Sequence, residues 1–384
     1  VINTAVIGTG AICPSHIKGY SQFSDLCKIV ALCDIYPEKA RHEAEAHNLS
    51  VDVYDDYTKL LKRNDIDLVS VCTPPYTHKD ITVDFLNAGK HVLVEKPMAS
   101  SLQECDAMIE AAKKNNKILS VISQNRFTNP MQKLKKVLDT KLTGPIVHAQ
   151  VDSYWWRGYS YYDLWWRGTW EKEGGGCTLN HAVHHIDIFT WMNGMPAEVT
   201  ALTSNTAHDN AEVEDISVAV CRYESGALAQ ITSSVVHHGE EQQLVFQGKK
   251  ARVSVPWKVK ASTSKGNGFP EEDKELEARL QKVYENEDDI PYEGHTGQIY
   301  DVLQAVKGEK EVLVDGIQGR RTLELITGIY QSSSEGKTIK LPLDESSPFY
   351  TREGVLKNAP YFYEKKKVVE NFTNNEINTG GKYE

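Results

Sequence analysis

Two short segments carry side chains able to move a proton and stabilise charge. The first is Glu95-Lys96-Pro97, set directly behind the apolar run His91-Val92-Leu93-Val94. A lysine there lies where the carboxyl end of a strand in a doubly wound sheet opens onto a bound dinucleotide. Beside an oxidised nicotinamide it meets a like charge, which lowers its pKa from the usual ~10.4. Such a lysine can hydrogen-bond a reacting hydroxyl and stabilise the developing alkoxide. The second segment is Glu173-Gly174-Gly175-Gly176-Cys177-Thr178-Leu179-Asn180-His181-Ala182-Val183-His184-His185-Ile186-Asp187. The glycines let backbone pass close to ligand. The spacing predicts a helix over 178–193 with Asn180, His184, Asp187 and Trp191 on one face and His181 and His185 on a neighbouring one. An imidazole of reference pKa ~6.5 accepts a hydroxyl proton near neutrality, so His184 is a general-base candidate, with Asn180 orienting it or the substrate. His181 and His185 also have zinc-ligand spacing. The glutamate of H-E-x-x-H is missing and no third ligand pattern appears, so no metal is expected.

These groups work only if a sheet brings them to a nucleotide. The chain opens Thr4-Ala5-Val6-Ile7-Gly8-Thr9-Gly10-Ala11-Ile12-Cys13-Pro14, an apolar strand running into glycines and then a helix with an early proline. Gly8 permits the turn and Gly10 close approach to a pyrophosphate at the helix N-terminus, so Gly8, Thr9, Gly10, Ala11 and Ile12 form the expected cradle. The third glycine of G-x-G-x-x-G is replaced by Cys13. A second strand ends at Asp34, placed to accept hydrogen bonds from the adenosine ribose and to repel a 2′-phosphate. No arginine follows at once, although Lys39 and Arg41 lie a turn on, so NAD is expected over NADP. Strand 68–71 runs into Cys72-Thr73-Pro74-Pro75, where the prolines force a turn at the same sheet edge. Thr73 and Pro74 are therefore cofactor candidates. Alternating strands and helices, including helices over 37–47, 56–63, 76–88 and 102–115, define a first domain over 1–123.

The rhythm then changes. A helix over 129–139, a strand over 146–154, and strands over 198–205, 213–223, 226–235, 242–247 and 251–255 predict a large open, mostly antiparallel sheet in a second α+β domain, 124–345. Helices over 295–307 and 317–334 close it. The loop 154–170 is rich in aromatic residues (Tyr154, Trp155, Trp156, Trp165, Trp166 and Trp170) interleaved with Arg157 and Arg167, a candidate stacking wall for a sugar ring. Residues 258–290 read as a mobile flap, and 346–384 as a tail that wraps the body or a neighbour, its last dozen residues disordered. An open sheet of this size needs its second face covered, so a homodimer or homotetramer is expected. Net charge is −10 over 384 residues, with no basic aromatic stripe, which argues against nucleic acid. No 18-residue apolar run points to a membrane. The chain begins at Val1 without an initiator methionine, which implies processing or trimming, and no signal peptide opens it. Seven scattered cysteines without a C-x-x-C pair imply reduced thiols in a cytoplasm.

Taken in order, Gly8-x-Gly10, Thr73-Pro74 with His78, Glu95-Lys96-Pro97, Gln124-Asn125-Arg126-Phe127, Trp166-Arg167, the triple glycine with Asn180, His184 and Asp187, and Leu341-Pro342 resemble the Gfo/Idh/MocA (glucose–fructose oxidoreductase/inositol dehydrogenase) family over roughly 1–343. The resemblance implies an α/β architecture, a Rossmann domain followed by an open-sheet domain used for oligomerisation, and sugars, sugar derivatives or cyclitols as substrates. It implies that Lys96 is the catalytic lysine and His184 the histidine that relays the proton. Asn125, Arg126, Trp166 and Arg167 would line the nicotinamide half, with His78 and Glu95 also in the cofactor site. Substrate would meet Lys96, Arg126, Tyr154, Arg157, Asn180, His181 and His184. Asn180 stands where many members carry aspartate. The expected activity is NAD-dependent dehydrogenation of a secondary hydroxyl. The alternatives are a redox-neutral NAD-dependent glycoside hydrolase and a non-catalytic sensor of sugar or NAD.

Overall fold

The computed structural model describes residues 1–370 and Phe372. The first domain contains β1 (Ile2–Ile7), α1 (Cys13–Ser21), β2 (Cys27–Cys33), α2 (Pro37–Ala46), β3 (Asp52–Tyr54), β4 (Leu68–Val71), α3 (His78–Asn87), β5 (His91–Val94), α4 (Leu102–Lys114) and β6 (Leu119–Val121). The strands are parallel, in the order β3-β2-β1-β4-β5-β6. Helices cover both faces, which is why β4 is buried at every position. The order reverses between β1 and β4, and the crevice this opens at their carboxyl ends is the ligand edge of such a sheet. The helix expected over 56–63 is a single 3-10 turn, Tyr57–Lys59. Arg63 is drawn aside to Asp52 and Asp65, so the chain leaves the helical path.

The second domain follows with α5 (Asn129–Asp139), β7 (Ile146–Tyr154), α6 (Cys177–Asn180), α7 (Val183–Asn193), β8 (Glu198–Ser204), β9 (Ile216–Arg222), β10 (Leu228–Ser234), β11 (Gln242–Gly248), β12 (Ala251–Val255), β13 (Lys258–Ser264), β14 (Pro270–Glu272), α8 (Lys274–Asn286), α9 (Gly294–Val306), α10 (Gly316–Glu335), β15 (Ile339–Lys340) and α11 (Arg352–Asn358). Its nine strands run β14-β13-β12-β11-β7-β10-β9-β8-β15, antiparallel except for β7 beside β10. The stretch 258–290 is not a free flap. β13 and β14 extend the sheet, and α8 buries Leu276 and Leu280 while Tyr284 stacks on Trp257 at 3.9 Å. α9 does not close the second domain: Ile299, Val302 and Leu303 pack with Ile17 and Tyr20 in the core of the first. The tail wraps its own body. Asn210 Oδ1 accepts from the Lys366 and Lys367 amides, and Trp165 N–H donates to the Val369 carbonyl, so this segment braces the aromatic loop. The last dozen residues, expected to be disordered, lie outside the described residues.

Candidate active site

At the nucleotide edge, Gly8 adopts φ +91°, and a Cβ there would sit 2.8 Å from the Cys72 carbonyl, so the tight passage of β1 past β4 demands glycine. Gly10 and Ala11 are exposed, and a Cβ added at Gly10 would meet nothing within 4 Å. That is room for a pyrophosphate. Asp34 Oδ2 accepts from the Thr9 amide (2.7 Å) and hydroxyl (2.9 Å), and its Oδ1 from the Tyr36 amide, so the acid also ties the loop down. Thr73 and Pro74 are half-buried, the Thr73 amide against Gly8, with Thr77 Oγ1 donating to Thr73 Oγ1 at 2.7 Å. Ile12 is half-buried, just before α1. These residues fit the dinucleotide expected of them.

Two other cofactor candidates are placed differently. His78 is fully buried, its ring nitrogens on the carbonyls of Pro97 (2.9 Å) and Thr73 (2.7 Å). It ties the two catalytic-edge loops together and presents no surface to a ligand. Glu95 is also buried. Its Oε1 accepts from His16 Nε2 (2.9 Å) on α1 and His295 Nε2 (3.2 Å) on α9, and its Oε2 from the Lys96 amide (3.2 Å). Burial alone would raise the Glu95 carboxyl, but the two histidines hold it well below the usual carboxylate range. Behind it, His16 Nδ1 meets Ser70 Oγ, which meets Tyr20 OH. Glu95 is thus a keystone beneath Lys96. Among the described residues, His16, Glu95 and His295 are the set whose ligand atoms lie close enough to share a metal ion. In this structure they are joined by hydrogen bonds. His16 and His295 carried no spacing signal, because α1 and α9 lie far apart in the sequence.

Lys96 reaches the helix region that carries His184, where its charge is felt. The helix predicted over 178–193 breaks, because both His181 N–H (3.1 Å) and Ala182 N–H (2.9 Å) turn to the Cys177 carbonyl. This wider turn leaves the Asn180 carbonyl to accept from Lys96 Nζ at 3.4 Å. The Asn180 side chain points back, its Nδ2 donating to the Gly175 (2.8 Å) and Gly176 (3.3 Å) carbonyls. Burial lowers the Lys96 pKa and Arg167 adds to it, against the pull of Glu95. Burial, then the Lys96 charge, pushes His184 well below its ordinary value, leaving a neutral imidazole. His184 is 7% exposed and makes no hydrogen bond among the described residues. His181 is depressed likewise by burial and by Arg157, Arg167 and Lys96, and its Nδ1 is buried without a partner. His185, by contrast, is core, with Nδ1 on Ser153 Oγ at 2.8 Å and a pKa lowered to about 4 by burial.

The triple glycine serves the protein itself rather than a ligand. A Cβ on Gly176 would lie 1.9 Å from the Glu214 carbonyl oxygen, and one on Gly175 2.3 Å from Tyr330 OH. The fully buried Glu214 accepts from the Gly176 and Thr178 amides and from Tyr330 OH, capping α6. This draws the chain inward, so the strand expected from 213 begins at Ile216. Arg126 is also redirected. It is 0% exposed, and its Nε and Nη2 grip Asp187 at 2.7 Å each, leaving Nη1 buried without a partner. A guanidinium so enclosed positions α7 instead of touching ligand. Asn125 lies buried in the same 3-10 turn. Tyr154 stacks on His237 at 4.1 Å as part of the sheet. Arg167 pairs with Glu173 (3.4 Å), bonds Tyr161 OH and lies over the Trp166 ring at 4.4 Å. Burial raises Glu173 to about 7. No spacing pattern in the sequence marks Glu173, yet its charge is felt at Lys96.

A parallel dinucleotide sheet, a glycine cradle and a half-buried lysine beside a neutral histidine define a nicotinamide-dependent oxidoreductase. Residues 2–123 match the oxidoreductase family with NAD-binding Rossmann fold, and residues 131–254 match the GFO/IDH/MocA C-terminal domain. The chain belongs to this GFO/IDH/MocA family of sugar and inositol oxidoreductases, and its first domain is the family's NAD-binding Rossmann fold. It is 25% identical over 363 residues to D-glucoside 3-dehydrogenase of Escherichia coli, covering 88% of this chain and 97% of that one. It is 27% identical over 258 residues to 2,7-anhydro-N-acetylneuraminate hydratase of Mediterraneibacter gnavus, covering 66% and 67%. The crystal structure of the WlbA dehydrogenase from Bordetella pertussis, in complex with NADH and UDP-GlcNAcA, superposes with TM-score 0.77 at 29% identity, covering 89% of this chain and 98% of that one.

Proposed function

We propose that the protein oxidises a secondary hydroxyl of a sugar, sugar derivative or cyclitol with NAD, using Lys96 and His184 as the acid–base pair. The observation that carries this is the meeting of these two groups, from different domains, at the carboxyl edge of the NAD domain, with both pKa values lowered. NAD, when bound, supplies the hydride acceptor. Lys96, steadied by the Asn180 carbonyl, hydrogen-bonds the hydroxyl and stabilises the developing alkoxide. His184, neutral and without a hydrogen-bond partner among the described residues, takes the proton. The position of Asp34 supports NAD over NADP. In the test, absorbance reports NADH formation from NAD and a panel of inositols, hexoses, pentoses, sugar acids and glycosides. Lys96→Met should abolish turnover while NADH binding, followed by fluorescence, survives. Unchanged turnover in Lys96→Met would refute the reading.

The hydratase relative favours a second reading, in which the hydride is returned and no NADH accumulates. Product release without NADH would mark it. We further propose that the open face of the nine-stranded sheet pairs with another copy, because Leu202, Val218, Val220 and Leu228 from three neighbouring strands are exposed together. Light scattering on the wild type and on Val218→Lys/Val220→Glu tests this, and a monomeric wild type would refute it. No helix among the described residues is long and apolar enough to cross a membrane. A cytoplasmic location remains part of the proposal.

A further inference from the structure

From the cavity beside Arg157 we infer an outer subsite, resting on the sugar-oxidation reading, that takes the second ring of an uncharged glycoside. The cavity is about 470 Å³, lined by Trp156, Arg157, His238, Gly239 and Glu240. It is open to solvent on one side, so a ring can stack on its wall without being enclosed. It adjoins the catalytic groups through one aromatic layer. The Arg157 guanidinium lies over Trp155 (5.4 Å) and Tyr161 (5.7 Å), and both rings pack on His181 at 5.6 Å. Its charge is felt at both His181 and Lys96.

Trp156 is 45% exposed, yet its backbone is fixed on both sides. Its amide donates to Glu240 Oε1 (3.1 Å), and the Arg157 amide donates to the Val235 carbonyl (2.8 Å). His238 stacks against the indole, with ring centroids 5.6 Å apart. An exposed indole on a rigid support suits stacking against a ring, at little entropic cost. Charge then decides the class of ring. Arg157 Nη1 is already held by Glu240 at 2.7 Å, and the next guanidinium inward, Arg167, by Glu173. A carboxylate or diphosphate would have to compete with Glu240, whereas hydroxyl groups can accept from Arg157 and donate to Glu240 without breaking the pair. One ring at Lys96 and a second at Trp156 describe a neutral glycoside, not a free monosaccharide, sugar acid or nucleotide sugar.

The test compares kcat/KM for free glucose, galactose and mannose with their p-nitrophenyl glycosides and with their p-carboxyphenyl glycosides, whose charge lies on the outer ring. The wild type should prefer a neutral glycoside over its free sugar by about tenfold or more, as a stacked ring supplies. Trp156→Ala should collapse that ratio, and Trp156→Phe should restore most of it. Glu240→Gln should shift preference toward the carboxyphenyl glycoside. A ratio unmoved by Trp156→Ala, or a wild type that prefers free sugars or the carboxyphenyl glycosides, overturns the subsite. If no sugar yields NADH, calorimetry of the same glycosides against the NADH complex separates the two ideas. Binding weakened about tenfold by Trp156→Ala keeps the subsite and removes the oxidation reading. No binding to the wild type removes the subsite itself.

Discussion

The Arg126–Asp187 pair offers a sharp test of how α7 is held in place. Both side chains are buried, with two 2.7 Å bonds between them, and Thr322 Oγ1 donates to Asp187 Oδ1 at 3.0 Å. The Arg126 guanidinium also faces Trp191 at 5.1 Å. Asp187→Asn keeps the volume and removes the charge, leaving a guanidinium out of water with no carboxylate. Loss of one partner from such a pair costs about 3–5 kcal/mol, a large share of a typical total of roughly 5–15 kcal/mol. All seven tryptophans lie beyond residue 150, so indole fluorescence during urea unfolding follows the second domain alone. The midpoint should fall with an unchanged slope. Replacing both partners, Arg126→Met with Asp187→Leu, should cost far less than Asp187→Asn alone, since neither charge is then stranded. A loss below about 1 kcal/mol for Asp187→Asn would refute the argument, because that is the worth of a solvated surface pair. If instead Arg126→Met with Asp187→Leu folded well but lost NADH affinity, Arg126 would be a ligand group after all.

Four further outcomes follow from the same geometry. Glu173 has its ordinary value of 4.5 raised to about 7 in the folded protein. Its stabilising contribution is therefore complete below about 4.5 and is lost as pH rises through about 7. Stability should fall by on the order of 3 kcal/mol across that window relative to Glu173→Gln; parallel pH–stability curves for the two proteins would sink the assignment. Glu95 raises the pKa of His184, which must be unprotonated to take the hydroxyl proton, so in Glu95→Gln the rising limb of the pH profile of kcat/KM should move to lower pH, and a move upward would exclude the proposed coupling. Gly176→Ala should cost more than about 3 kcal/mol of stability, because the new Cβ overlaps the Glu214 carbonyl. Tyr330→Phe should cost about 1.5–3 kcal/mol through the lost bond to the buried carboxylate, and calorimetry reads both.

Much of this protein is written locally. Buried parallel strands are mostly apolar, so β1, β2, β4 and β5 can be recognised from short runs of residues. Gly8 is readable because a backbone at φ +91° tolerates little else, and Lys96 because a proline ends its strand at the ligand edge. The fold class was therefore visible in order along the chain. Contacts between distant segments were not. Arg126 reads as a ligand residue until Asp187, 61 positions on, closes on it. The glycines before α6 look like a ligand cradle until Glu214 and Tyr330 are packed against them. Glu95 becomes a buried keystone only when His16 and His295 converge from α1 and α9, and α9 belongs to the first domain because its apolar face finds α1. Periodicity and spacing record what a residue needs from its neighbours in sequence. Which charge meets which, and which surface is left for substrate, is decided by long-range packing, where burying a charge without its partner costs too much to survive.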